Sequence, residues 1–209
     1  MDQSVLEALQ RWPNVPAVYG WLSLSARGDW RLHPLGDAQA GGPGEGISNQ
    51  QILGFMGRNY TCEPDGAWFF QNGPQRVYVR LDAAPYIVHL RPEDAALVTH
   101  NGKCIASVTA WSADNTGQLY AQTDLGGVRI DDRDLMRLAE TLYVQDGAAM
   151  LSILGTLKET GPVGLFDPTG RYRALMAPAP CTFILQHDIA QRLGFVSNPI
   201  DVTHCPQLP

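Results

Sequence analysis

Between Trp68-Phe69-Phe70-Gln71 and Arg76-Val77-Tyr78-Val79-Arg80-Leu81 stands the pair Asn72-Gly73. Asn-Gly is the strongest short-range signal for a two-residue β-hairpin, because both residues accept the positive φ of a type I′ turn. Val77, Val79 and Leu81 then share one strand face, while Tyr78 and Arg80 point to the other. Three consecutive aromatics before the turn cover both faces, as an interior strand packed on each side requires. The turn itself displays Gln71, Asn72, Gln75 and Arg76, side chains rich in hydrogen-bond donors, on a rigid support.

The same turn chemistry recurs. Arg27-Gly28-Asp29-Trp30, Asp65-Gly66-Ala67-Trp68, Thr116-Gly117-Gln118-Leu119 and Thr169-Gly170-Arg171-Tyr172 each place glycine two residues before a large apolar side chain. This is the pattern of tight strand-to-strand turns, and its unequal spacing excludes a regular solenoid. Between the turns, apolar periodicity predicts helices over 4–10, stopped by Trp12-Pro13, and from a Ser48 capping box to about residue 60. A third is capped by Asp131 or Asp132, and a short fourth over 189–193 is stopped by Gly194. Strands are expected at 17–24, 30–33, 68–70, 77–81, 86–90, 104–111, 118–123, 163–166, 172–176 and 181–185. The expectation is an α+β fold, mostly antiparallel sheet built from repeated hairpins with three to four short helices. Arg91-Pro92-Glu93-Asp94 suggests a division into halves 1–92 and 93–209, with one compact domain as the alternative.

The chain has 209 residues and a net charge of −6. No basic stripe is present, so a nucleic-acid partner is not expected. The start lacks a signal-peptide pattern and no apolar run is long enough for a membrane span, which points to the cytoplasm. Cys62, Cys104, Cys181 and Cys205 form no C-x-x-C pair and are read as free thiols.

Arg58, Asn59, Gln71, Asn72, Gln75 and Arg76 are the candidate ligand-binding residues. Their amides and guanidinium groups suit a small polar or anionic ligand, an arginine gripping a carboxylate or phosphate through its planar fork. The plainer alternative is that the loop merely turns the chain. Trp12, Tyr19 and Trp21 form either an aromatic wall or ordinary packing. The run Gly41-Gly42-Pro43-Gly44-Glu45-Gly46 precedes a helix, as phosphate loops do, but Glu45 would repel an anion and no lysine follows, which favours a flexible surface loop. Cys181, His187, Asp188, Asp201, His204 and Cys205 are ligand types in zinc-unlike spacing, so no metal and no cofactor is expected. No nucleophile-elbow, zincin or P-loop string occurs.

Trp12-Pro13-Asn14-Val15-Pro16, Tyr19-Gly20-Trp21-Leu22, Gly57-Arg58-Asn59-Tyr60 and the stretch from Trp68 to Val79 resemble a proteobacterial family known only as a domain of unknown function. The resemblance is good over about 10–110 and looser beyond, and it carries over no catalytic residue. The order of helix, Asp-Gly turn and paired strands is similar to a second uncharacterised bacterial family, which implies repeated motifs and a signalling role by analogy alone.

Two functional classes follow. One is a non-catalytic binding or regulatory module for a small polar ligand or a protein partner, homodimer formation included. The other is an enzyme whose site forms between the two halves from Arg58, Arg76 and a histidine.

Overall fold

The computed structural model describes residues 1–201, apart from the side chain of Thr160; His204 and Cys205 lie outside the described residues. The chain divides into two units, Met1–Ala83 continued by the stretch from Phe195 onward, and Ala84–Gly194.

In the first unit, α1 (Gln3–Arg11) ends at Trp12, because the residue before Pro13 is pushed out of helical geometry. β1 (Val18–Leu24), β2 (Trp30–Leu32) and β3 (Glu45–Gly46) follow. Next comes α2 (Gln50–Arg58), then β4 (Tyr60–Cys62), β5 (Trp68–Asn72) and β6 (Gln75–Leu81). Asn49 rather than Ser48 caps α2, its Oδ1 accepting the N–H groups of Gln51 and Ile52. The sheet runs β3-β2-β1-β6-β5-β4. β5 is interior, and Trp68, Phe69, Phe70 and Gln71 are all buried.

The β5–β6 hairpin forms, but its turn is shifted. Asn72 pairs with Gln75, so the loop residues are Gly73 and Pro74, with Gly73 at φ +58°. Glycine in the first position is the type II′ pattern, in place of the expected type I′ turn on Asn72-Gly73. Proline decides the matter. A turn on Asn72-Gly73 would set Pro74 opposite Gln71 in the ladder, where it has no N–H to donate.

The second unit carries β7 (Tyr86–Arg91), β8 (Ala96–Thr99), β9 (Val108–Asp114), β10 (Leu119–Thr123), β11 (Gly126–Ile130) and α3 (Asp132–Ala139). After these come β12 (Tyr143–Val144), α4 (Met150–Ile153), α5 (Leu157–Thr160), β13 (Val163–Phe166), β14 (Ala179–Ile184) and α6 (Ile189–Leu193). Its sheet runs β12-β13-β14-β9-β10-β11-β7-β8 around a core that includes Ile87, Trp111, Leu119, Ile130 and Leu138. Arg91-Pro92-Glu93-Asp94 forms the turn between β7 and β8, with Arg91 ion-paired to Asp94.

The fold is α+β, with two corrections. Both sheets are mixed: β1 with β6, β7 with β11, and β9 with β14 pair in parallel. Parallel neighbours need long crossovers, and the stretch from β2 to β5, α2 included, supplies one between β1 and β6. The described residues hold six α-helices, not three to four; α4 and α5 are single turns. Residues 172–176, expected as a strand, instead make a 3₁₀ turn over Arg173–Leu175. Asp167 accepts the N–H groups of Thr169 and Tyr172 and so holds the backbone in a local loop. Among the described residues no helix is long and apolar enough to cross a membrane.

Candidate functional site

On one face of the first unit's sheet lies a cavity of about 620 Å³, within the ordinary size range of ligand pockets. Strand alternation explains its floor. Phe70 and Asn72 on β5 and Gln75 and Val77 on β6 point into it, while Gln71, Arg76 and Tyr78 alternate away. Helix α2 supplies Ile52 and Met56 as one wall, anchored by an edge-to-face contact between Phe55 and Phe70 at 5.6 Å. Val18, Trp21 and Leu22 on β1, with Leu32 and Ile47, complete the lining. Among the described lining residues the polar side chains are the amides Asn72 and Gln75, with the indole N–H of Trp21 as a further donor.

An irregularity in β1 aims Trp21. Val18 pairs with Val77 and Leu22 with Val79, so β1 spends four residues where β6 spends two. Gly20 sits in this bulge at φ +80°, and a Cβ there would lie 2.5 Å from the carbonyl oxygen of Gly36. Trp21 is left 44% exposed on the cavity wall. Bulges of this kind redirect side chains next to functional sites.

The expected ligand-binding residues separate into three places. Asn72 and Gln75 open onto the cavity. Arg58 makes a bidentate ion pair with Asp2, whose carboxyl is held below the usual range by the Arg58 hydrogen bond, and Asn59 accepts the Asp2 N–H. Arg76 pairs with Glu63 and covers the Phe69 ring at 4.3 Å. Gln71 is buried, with its Nε2 donating to the Gly73 carbonyl and its Oε1 unpartnered. The aromatic trio separates too: Tyr19 stacks on Tyr78 at 4.5 Å, and Trp12 is exposed beneath Arg11. Burial, then the neighbouring Tyr19, raises the Tyr78 phenol.

The glycine run is no loose loop. Arg31 donates to the Pro43 carbonyl, and Arg80 donates to those of Ala38 and Gly42. A Cβ on Gly44 would lie 2.7 Å from His33 Nε2, and one on Gly42 would lie 2.2 Å from the Asp37 carboxylate. The run therefore lies directly on a hydrogen-bonded relay that spacing did not reveal, Ser23 to His33 to Asp37. Those groups occur in the order that hydrolases use, but Ser23 is wholly buried while Asp37 is the accessible member. A nucleophile needs the opposite arrangement, so the relay is structural.

In the second unit His89, Asp131 and Asp134 bring possible ligand atoms within 4.8 Å of one another. They come from β7 and the first turn of α3, too far apart in sequence for any spacing rule. Arg133 already holds both Asp131 oxygens, and Asp134 accepts the Leu90 N–H. A helix N-terminus also disfavours a cation. Burial pushes the pKa of His100 down to about 3, and His187 is exposed beside Asp188. Cys181 is buried, whereas Cys62 and Cys104 are exposed free thiols.

Over residues 1–200 the sequence matches the DUF2944 family, described as "Protein of unknown function (DUF2946)". No curated protein matches. A DUF1285 family protein from Silicibacter pomeroyi is similar in structure at 15% identity, covering 84% of this chain and 86% of that one, with a TM-score of 0.49. A DUF1285 family protein from Shewanella baltica is 14% identical over 57% of this chain and 90% of its own, with a TM-score of 0.40.

Proposed function

The chain belongs to the DUF2944 family of unknown function, and from its geometry we propose that the first unit is a binding module for a small molecule. The observation that carries this reading is a roomy apolar cavity that ends in two amide side chains and is walled by a tryptophan that a constrained bulge turns outward. The polar loop and the cavity meet only at Asn72 and Gln75, which moves the ligand from a polar one toward one with a mostly apolar body. A catalytic reading built on Arg58 and Arg76 has against it that both guanidinium groups are committed to carboxylates.

Titration with the neutral fluorescent probe N-phenyl-1-naphthylamine tests the proposal. One saturable site per chain is expected, lost in Ile52→Trp, which fills the cavity from a half-exposed position. Binding unchanged in that variant would remove the cavity from consideration. Trp21, Leu32 and Ile52 at the rim are each at least 40% exposed, which favours as a second reading the docking of an apolar side chain from a protein partner. Sedimentation that shows concentration-dependent association suppressed by the probe would favour it.

A further inference from the structure

We infer that the ligand of this cavity joins an apolar body to an uncharged hydrogen-bonding head, such as an amide, hydroxyl or carbonyl group, and that carboxylates and ammonium ions are discriminated against. The inference rests on the reading of the cavity as a ligand site. Among the described residues no Lys, Arg, His, Asp or Glu lines the cavity. An ion transferred there from water would find no opposite charge to offset its lost hydration. The nearest arginines along β6 do not help. Arg76 and Arg80 alternate onto the other face of the sheet, where Glu63 and Asp82 hold them.

What the cavity offers instead is matched to a neutral head. Asn72 and Gln75 stand directly opposite one another as the closing pair of the hairpin. Cross-strand neighbours of this kind have β-carbons roughly 5 Å apart, so both amides reach one group. Each side-chain amide supplies two N–H donors and an acceptor oxygen. Asn72 makes no side-chain hydrogen bond among the described residues, and Gln75 has only a long one, from Nε2 to the Pro16 carbonyl at 3.5 Å. A primary amide or hydroxyl uses donors and acceptors together. A carboxylate accepts only and an ammonium donates only, so either uses half of what the pair offers, at the end of the cavity where Asn72 is exposed and Gln75 half-buried.

The type II′ turn makes this a built arrangement. Gly73 and Pro74 are the two residues between Asn72 and Gln75; Pro74 locks its own φ, and the Asn72–Gln75 strand pairing fixes the spacing of the two backbones that carry the amides before any ligand arrives.

The test is a titration series that shares one chain length: octanamide, 1-octanol, octanoate and octylammonium at neutral pH, followed by calorimetry. Octanamide and octanol are expected to bind one per chain, at least about tenfold tighter than either ion. The double variant Asn72→Leu, Gln75→Leu should weaken octanamide by about tenfold while it leaves naphthalene, which has no head group, within about twofold. Octanoate or octylammonium bound as tightly as octanamide would overturn the head-group assignment and leave the site standing. Failure of all four and of naphthalene to bind would overturn the ligand-site reading itself.

Discussion

Ser23 Oγ lies 2.8 Å from His33 Nε2, wholly shielded from water beneath the Asp37–Gly44 strap. A buried partner that loses its hydrogen bond keeps its desolvation cost. Ser23→Ala should therefore lower the unfolding free energy by about 1–3 kcal/mol in urea titrations. Asp37→Ala should cost less, since the Asp37 side chain is 38% exposed and water replaces it. The reverse order, or labelling of Ser23 by a fluorophosphonate in the native protein, would contradict a structural relay.

Gly20 and Gly73 share a positive φ but not a setting. Nothing lies within 4 Å of a Cβ placed on Gly73, whereas one on Gly20 meets the Gly36 carbonyl. Gly73→Ala should cost only the backbone strain, about 1–3 kcal/mol. Gly20→Ala adds a backbone clash and should be clearly the more destabilising in paired thermal melts. Equal losses would mean that the bulge shifts to make room.

Burial raises the Cys181 thiol to a pKa of about 12. Since the thiolate is the reactive form, iodoacetamide at pH 8 should alkylate Cys62 and Cys104 in the native protein and Cys181 only after denaturation. Peptide mass spectrometry reads the order directly, and early modification of Cys181 would refute it.

Burial alone would raise the carboxyl pKa of Asp167, but hydrogen bonds from Thr169 and the backbone N–H of Tyr172 outweigh it and hold the value down. A depressed folded-state pKa contributes stability that is present above the unfolded value near 3.9 and is lost as pH falls through the folded one. Asp167→Asn should therefore flatten the acid limb of the stability curve below about pH 4, while it weakens the protein at neutral pH. An acid limb identical to the parent's would exclude Asp167 as a contributor.

Local chemistry made much of this fold legible. The glycine turns before Trp30, Trp68 and Leu119 close hairpins, and all four expected helices form, because each depends on neighbours a few residues away. Where tertiary contacts decide, the sequence was mute. β11 opens with two glycines and reads as loop, yet Gly127 is required there because a Cβ would come within 2.8 Å of Leu193. The loop amides were singled out as donors, and two of them open onto the cavity. The apolar walls were invisible, since Trp21, Ile52 and Val77 meet only through the β1–β6 parallel pair and α2.

The stretch after Gly194 returns to the first unit: the Val196 N–H donates to the Gly66 carbonyl, the Leu81 N–H to that of Ser197, and Gln39 to that of Pro199. A ribosome that has made the cavity's entire lining has thus not yet made the segment that finishes the unit around it. The contiguous Ala84–Gly194 stretch emerges in full first, so the unit that begins the chain is the last to have all of its residues, the reverse of the usual N-terminal-first order of synthesis.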